Sequence, residues 1–328
     1  MNNEITQEER NKALLIANNI LNYYKTKVVG QPGLGYSILL SMITNGHILL
    51  ESVPGLAKTT AARVVTESIG GEFSRIQCTP DLLPGDIIGT QIYNMNNNTF
   101  ENKFGPVFAN FVLLDEINRS SAKTQSAMLE AMQERQVTIG GNSYRMPGDV
   151  FVVIATQNPI EQEGTYPLPE AQCDRFMLKV KIDYPKKEEE MKIVAGHLAG
   201  FKSEVKPVMS VDEIIDARKV VKQVYIDEKI QKYIVDIVFA TRYPEMYGME
   251  NMKDMIAYGA SPRASINLAL AARAYAFLKR RGYVIPEDVR AICPDVMRHR
   301  IGLSYEAEAN NLTAEEVVAE ILNKVEVP

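Results

Sequence analysis

Five apolar runs of strand length, near residues 47–51, 73–77, 111–115, 150–155 and 176–182, alternate with segments of helical pattern. Strands that lack polar alternation are covered on both faces, and strands joined through helices pair in parallel. The pattern therefore predicts an α/β core, a parallel five-stranded sheet with helices on both faces. In an open sheet of this kind ligands sit beyond the carboxyl ends of the strands, so the residues after each run are the ones to read for chemistry.

The first run continues as His47-Ile-Leu-Leu-Glu-Ser-Val-Pro-Gly-Leu-Ala-Lys-Thr-Thr60: a strand, a tight turn and the opening of a helix. It reads as a nucleoside-triphosphate phosphate loop. Val53, Pro54, Gly55, Leu56, Ala57, Lys58, Thr59 and Thr60 would surround the phosphates, which backbone N–H groups and the positive helix end attract. Lys58 would reach the β and γ oxygens, and the Thr59 hydroxyl would hold Mg²⁺. Against the pattern G-x-x-x-x-G-K-[ST], Ser52 and Ala57 replace glycines, and only Gly55 remains inside the loop. Serine and alanine tolerate positive φ less well than glycine, so the loop alone does not decide between a phosphate site and a plain strand-turn-helix corner.

Further support lies downstream. Asn110-Phe-Val-Leu-Leu-Asp-Glu-Ile-Asn-Arg119 places two carboxylates at the end of a buried strand. Asp115 suits the Mg²⁺ shell, because that metal takes hard oxygen ligands, and Glu116 suits the attacking water, which needs a proton acceptor. The alternative is an acidic pair that caps a helix. Val150-Phe-Val-Val-Ile-Ala-Thr-Gln-Asn-Pro159 ends in an amide at the same edge. Asn158 could hold the attacking water or the γ-phosphate, or could simply start a turn before proline.

Jointly these segments resemble the MoxR group of AAA+ ATPases over about Val29 to Arg300. The matching stretches are Val29-Gly30-Gln31, Val53-Pro-Gly-Leu-Ala-Lys-Thr-Thr60, Gly105-Pro-Val-Phe-Ala-Asn110, Asp115-Glu-Ile-Asn-Arg119, Thr156-Gln-Asn-Pro159, Gly164-Thr-Tyr-Pro-Leu-Pro-Glu-Ala171, Asp174-Arg-Phe176 and Ser261-Pro-Arg-Ala264. The resemblance implies an AAA+ P-loop NTPase core followed by an all-α helical lid domain. It implies Mg-dependent ATP hydrolysis, with Gly30 and Gln31 joining the phosphate loop in nucleotide binding. Asn158 then looks like the sensor-1 residue, Arg175 the arginine finger and Arg263 the sensor-2 arginine. A guanidinium offered to a neighbour's γ-phosphate stabilises transition-state charge; the competing reading of Arg175 is a salt bridge to Asp174 or Glu170, and that of Arg263 a solvated or capping arginine. Ala57 is usual in the family, whereas Ser52, where the family has glycine, is a departure that bears on the tightness of the loop and hence on nucleotide affinity, in a direction the sequence leaves open. The family further implies a homo-oligomer, a hexameric ring, and chaperone-like remodelling of a protein client, possibly a von Willebrand factor A-domain protein.

The chain divides near Tyr184-Pro185, giving 1–184 as ATPase core and 185–328 as lid. Beyond that point Ser210-Val-Asp-Glu213 and Thr313-Ala-Glu-Glu316 read as capping boxes, Gly282 as a helix stop and Pro286 as a first-turn proline. Two inserted hairpins are expected at about 91–104 and 136–145, at the positions of the helix-2 insert and pre-sensor-1 hairpin of this AAA+ branch. Neither shows an evident aromatic pore signature in sequence. The start lacks a secretion signal and no apolar run approaches a membrane span, so a cytoplasmic protein without direct membrane insertion is expected. Cys78, Cys173 and Cys293 offer no metal-ligand spacing. With 36 basic against 41 acidic residues there is no broad footprint for nucleic acid. Two further readings remain, an ATP-dependent nucleic-acid motor and a nucleotide-gated binding module with little turnover.

Overall fold

The computed structural model describes residues 7–53, 55–159, 165–199 and 205–328; Pro54 of the phosphate loop and Gly164 lie outside the described residues. The first half runs α1 (Gln7–Lys27), α2 (Pro32–Thr44), β1 (Ile48–Glu51), α3 (Lys58–Glu67), β2 (Phe73–Gln77), α4 (Pro84–Ile88), β3 (Gly89–Asn94), β4 (Thr99–Phe104), β5 (Phe111–Asp115), α5 (Ala122–Glu134), β6 (Gln136–Ile139), β7 (Asn142–Arg145), β8 (Val152–Gln157), α6 (Glu170–Cys173) and β9 (Leu178–Lys181). The second half is helical: α7 (Lys187–Leu198), α8 (Val211–Lys222), α9 (Glu228–Ala240), α10 (Pro262–Leu278), α11 (Pro286–Met297), α12 (Tyr305–Ala309) and α13 (Ala314–Lys324). A short antiparallel ribbon of β10 (Ile256–Tyr258) and β11 (Gly302–Leu303) interrupts it, which periodicity did not signal because strands of two or three residues carry no pattern.

Five strands form one sheet in the order β2-β5-β8-β1-β9, every pair parallel. The pleat alternates side chains between its faces. Ile48, Leu50, Phe111, Leu113, Val152, Ile154, Leu178 and Val180 pack with residues of α1, α2 and α3 and of the second half. Leu49, Val112, Leu114, Val153 and Ala155 pack with Met128, Leu129 and Met132 of α5 on the other face. Both faces are therefore dry over the central strands β1, β5 and β8, which explains their unbroken apolar runs, whereas the edge strands β2 and β9 carry exposed Arg75, Gln77 and Lys181.

Both hairpins form, β3 with β4 and β6 with β7. Gly140 and Gly141 hold φ of 58° and 83° at the second turn, a conformation that favours glycine. The capping boxes at Ser210 and Thr313 are present, and Pro286 opens α11. Gly282 is a correction: α10 ends at Leu278, and the positive φ after it, 64°, belongs to Arg280. Gly282 instead gives room to the Arg10 guanidinium, which lies 2.4 Å from where a Cβ would stand.

Arginines fasten the helical half to the sheet. Buried Arg218 of α8 donates from Nε to the Met42 carbonyl (2.8 Å) and from Nη1 to the Asp149 carbonyl (3.0 Å). Arg298 donates to the Lys179 carbonyl of β9 (2.8 Å), while Lys181 pairs with Glu315 of α13 (2.7 Å).

Ahead of β1, the buried His47 accepts the Val153 N–H at Nδ1 (3.0 Å), so Nε2 carries the proton and donates to the Met132 carbonyl (3.2 Å). Burial, aided by the Arg135 charge, lowers its pKa to about 4. The unfolded imidazole, with pKa near 6.5, takes up a proton that the native one refuses, so stability falls as pH drops from 6.5 towards 4. Linkage gives a loss of about 2 kcal/mol at pH 5 relative to pH 8 from His47 alone. Buried His299 shifts in the same direction, through burial first and the Arg300 charge next. Urea midpoints measured across this range should fall towards acid. A midpoint that is flat between pH 8 and 5 would show that His47 is not buried in its neutral form.

Candidate nucleotide site

The carboxyl ends of β1, β5 and β8 bring the predicted residues together. Lys58, the first residue of α3 and largely buried, donates from Nζ to the Ser52 carbonyl (2.7 Å) and the Gln157 carbonyl (3.4 Å). Burial lowers its pKa from the ordinary lysine value, against the pull of Asp115, Glu116 and Glu51. The loop bends at Gly55 (φ 86°) and at Ala57 (φ 55°), which precedes the helix. Ser52 is not among the positive-φ residues; it is buried, and its hydroxyl donates to the Val53 carbonyl (3.0 Å). The backbone strain ahead of the helix therefore lies at Ala57 and not at Ser52.

Asp115 closes β5. Its Oδ2 accepts from Thr59 Oγ1 (3.1 Å) and from Arg75 Nε (3.2 Å) and Nη2 (2.6 Å), and its Oδ1 accepts from Thr156 Oγ1 (2.8 Å). Burial pushes the carboxyl up, but hydrogen bonds from Arg75, Thr156 and Thr59 outweigh it and hold the pKa below the usual carboxylate value. Thr59 and Asp115 thus present hard oxygens side by side at a helix N-terminus, a donor set that fits Mg²⁺. Glu116 sits in the left-handed region (φ 57°), and its backbone N–H donates to Thr156 Oγ1 (2.8 Å). That turn swings the Glu116 carboxylate away from the strand axis, where it pairs with Arg119 (3.0 Å). Strained backbone of this kind persists only where surrounding contacts determine it. Thr156 and Arg75 supply such contacts. The sequence motif Thr156-Gln-Asn-Pro159 does not by itself assign Thr156 a role, and Arg75 carries no signal beyond being a charge within a short strand.

Asn158 follows β8, and its carbonyl accepts from Asn118 Nδ2 (3.1 Å). Both line a cavity of ≈ 560 Å³ together with Glu51, Gln157, Thr165 and Lys179. On the far side of α2, Gly30 (φ 71°) and Gln31 (φ 54°) shape the entry to that helix, with Gln31 Nε2 donating to the Asp183 carbonyl (2.6 Å). Glu189 of α7 packs 3.2 Å from the position a Cβ would take on Gly30.

Arg175 and Arg263 lie elsewhere. Both line a cavity of ≈ 160 Å³ with His47, Met132, Gln133, Asp174, Ile266 and Asn267. His47 precedes β1 and its carbonyl accepts the Met177 N–H (2.8 Å), so this cavity marks the amino edge of the sheet. From there to Ser52 the strand runs roughly 16 Å at the usual rise per residue, farther than an arginine side chain extends. The competing reading of Arg175, a salt bridge to Asp174 or Glu170, is not met among the described residues; Asp174 pairs with Arg300 (2.8 Å) and Arg263 (3.5 Å) instead. The Nε of Arg175 is buried without a hydrogen-bond partner.

The β3–β4 hairpin also differs from its sequence reading. Tyr93 and Phe100, directly paired across it, meet with ring centroids 5.2 Å apart and planes tilted by 58°, and remain half exposed or more, beside exposed Met95. The pair is invisible in sequence because pairing, and not spacing, brings the two rings together.

Residues 47–178 match the ATPase family associated with various cellular activities (AAA), and residues 249–321 match the AAA lid domain. Chaperone MoxR1 of Mycobacterium tuberculosis is 47% identical over 304 residues, covering 93% of this chain and 80% of that protein. This chain belongs to the MoxR family of AAA+ ATPases. Protein MoxR of Paracoccus denitrificans is 31% identical, over 84% of this chain and 86% of its own length. The crystal structure of a candidate ATPase from Cytophaga hutchinsonii superposes with a TM-score of 0.92 at 46% identity, covering 98% of both chains. As a member of this family the chain binds nucleotide and is an ATPase.

The geometry separates binding from chemistry. Lys58→Ala should weaken nucleotide affinity at least tenfold, whereas Glu116→Gln should bind normally and lose about 10²–10⁴ in kcat. Thr156→Val should lower kcat by a larger factor than nucleotide affinity, since it removes the hydroxyl that holds both Glu116 and Asp115 while leaving Lys58 untouched. Equilibrium binding of a fluorescent ATP analogue, set beside phosphate release, checks all of these. Equal losses of affinity in Lys58→Ala and Glu116→Gln would contradict the division of labour.

Proposed function

We propose that this MoxR-family ATPase works as a ring, hexameric as the family resemblance implies, in which each active site is assembled from two subunits. Residues 1–184 act as the ATPase core and 185–328 as the lid. ATP lies at the carboxyl edge of the sheet, with Gly55 to Thr60 around the phosphates, Lys58 on the β and γ oxygens, and Gly30 and Gln31 toward the base. Thr59 and Asp115 would hold Mg²⁺, which when bound offsets phosphate charge. Glu116 accepts the proton of the attacking water, and Asn158 orients that water or the γ-phosphate. Thr156 and Arg75 fix the two carboxylates in place.

One observation carries the ring: Arg175 of the core and Arg263 of the lid share a cavity at the amino edge, a strand's length from their own Lys58. Placed against a neighbour's carboxyl edge, both guanidiniums face its γ-phosphate, where charge develops. This position also refines the role of Arg263, which serves the neighbouring site and not the one in its own chain.

ATP turnover is coupled to remodelling of a protein client in a chaperone-like cycle, by likeness to the MoxR relatives, and a von Willebrand factor A-domain protein is the candidate client. The β3–β4 hairpin, with Tyr93 and Phe100 at its exposed face, offers an apolar grip for such a client. No helix among the described residues is long and apolar enough to cross a membrane, and a cytoplasmic setting suits this role.

If Arg175 works in trans, specific activity rises with protein concentration, and ATP promotes association because it bridges two chains. Arg175→Ala alone should bind ATP and lose about 10³-fold in turnover. Mixed with Lys58→Ala it should recover activity, since some interfaces then pair an intact site with an intact finger. Mixed rings shown to form yet no faster than either variant alone would defeat the reading. For the client, Glu116→Gln loaded with ATP should retain a defined protein from native extract; recovery of DNA instead would favour a nucleic-acid motor.

A further inference from the structure

The cavity shared by Arg175 and Arg263 stands on a buried ionic mount. Arg300 follows α11 and is only 3% exposed. Its Nε donates to Asp174 Oδ1 (2.8 Å), its Nη2 to the carbonyls of Asp174 (3.2 Å) and Phe176 (2.6 Å), and its Nη1 to the carbonyls of Met177 (3.3 Å) and Val296. One guanidinium therefore grips the backbone on both sides of Arg175. Buried His299, in its neutral form, adds an Nε2–H to the Phe176 carbonyl (3.0 Å). The second carboxylate oxygen of Asp174 turns to the lid, accepting from the Ser261 hydroxyl that also caps α10 (3.0 Å) and pairing with Arg263 Nη1 (3.5 Å).

We propose that Asp174 and Arg300 are positioning residues that mount Arg175 of the core and Arg263 of the lid as one unit aimed at the neighbouring subunit's γ-phosphate. The physical case has three parts. A fork of N–H donors in a plane is well suited to collecting a carboxylate and several carbonyls at once, which lysine could not do. A buried guanidinium is costly unless these acceptors are in place, so the segment 174–177 and the end of α11 are held in one arrangement. Asp174 gives both carboxylate oxygens to the helical half, Oδ1 to Arg300 and Oδ2 to the Ser261 hydroxyl at the start of α10 and to the Arg263 head. Pre-set charge of this kind stabilises a transition state without reorganisation at the moment of reaction. Core and lid of one subunit accordingly reach the neighbour's nucleotide as a rigid pair.

The inference rests on the in-trans reading of Arg175, and the test keeps the two apart. Asp174→Asn preserves size and one acceptor oxygen but removes the charge that holds Arg263 and Arg300; Arg300→Met, the more drastic change, is used only if its melting curve stays cooperative. Asp174→Asn should bind a fluorescent ATP analogue within twofold of the parent, assemble with ATP, and lose at least tenfold in kcat. A purely structural role would move affinity and assembly together with kcat. Mixed with Lys58→Ala subunits, it should regain activity, because the Lys58→Ala chain brings an intact mount to the intact site of the Asp174→Asn chain. Parental kcat in Asp174→Asn overturns the proposal, as does failure to recover in mixed rings under conditions where Arg175→Ala with Lys58→Ala does recover. Failure of both mixtures removes the in-trans reading itself, and the mount with it.

Discussion

Parallel pairing on both sides of β1 is the constraint on which the rest depends. With β8 and β9 aligned in the same direction, in register from Ile48 to Glu51, every chain end of one kind arrives at one edge of the sheet. Lys58, Asp115, Glu116 and Asn158 follow carboxyl ends and converge; His47, Arg175 and the carbonyls around Met177 precede amino ends and gather a strand's length away. The two edges of such a sheet lie too far apart to meet within one molecule, and in the proposed ring it is stacking of copies edge to edge that brings them together.

The charged residues in the interior follow from that arrangement. Arg218, Arg298 and Arg300 are buried or nearly so, and donate chiefly to carbonyl oxygens at strand and helix ends. Such oxygens are left over wherever an element stops, and a guanidinium collects several of them while spanning from the helical half to the sheet. At the other edge Glu51 closes β1, accepting from Lys179 of β9 (2.7 Å) and from the Gln157 amide of β8. Because Ser52 follows directly and offers its carbonyl to Lys58, the base of the phosphate loop is braced by both neighbouring strands. Strain appears at the site's own turns, Ala57 and Glu116, and is held by contacts on either side of it.

Much of this was legible in the amino-acid order. The five runs coincide with the five strands, most plainly for β1, β5 and β8, which are dry on both faces, and the residues just past them belong at one edge by topology alone. The phosphate loop, the acidic pair, the capping boxes and both hairpins are local patterns, set by near neighbours in the chain. Gly282 was misread as a helix stop because a glycine in sequence does not say whether it serves φ or space; here Arg280 takes the left-handed turn and Gly282 admits Arg10.

Sequence by itself determined the strands, the family and the candidate site residues, since each is written in short stretches whose physics is local. Tertiary structure alone decided which residues meet. It placed Arg75 and Thr156 on Asp115, set Tyr93 against Phe100, gave Asp174 to Arg300 and Arg263 instead of Arg175, and put both candidate trans arginines at the edge away from their own Lys58. Apart from the Tyr93–Phe100 pair, which hairpin pairing brings together, those partnerships join positions some 40 to 126 residues apart, and contacts at such separation are fixed by sheet order and helix packing, which no window of sequence contains.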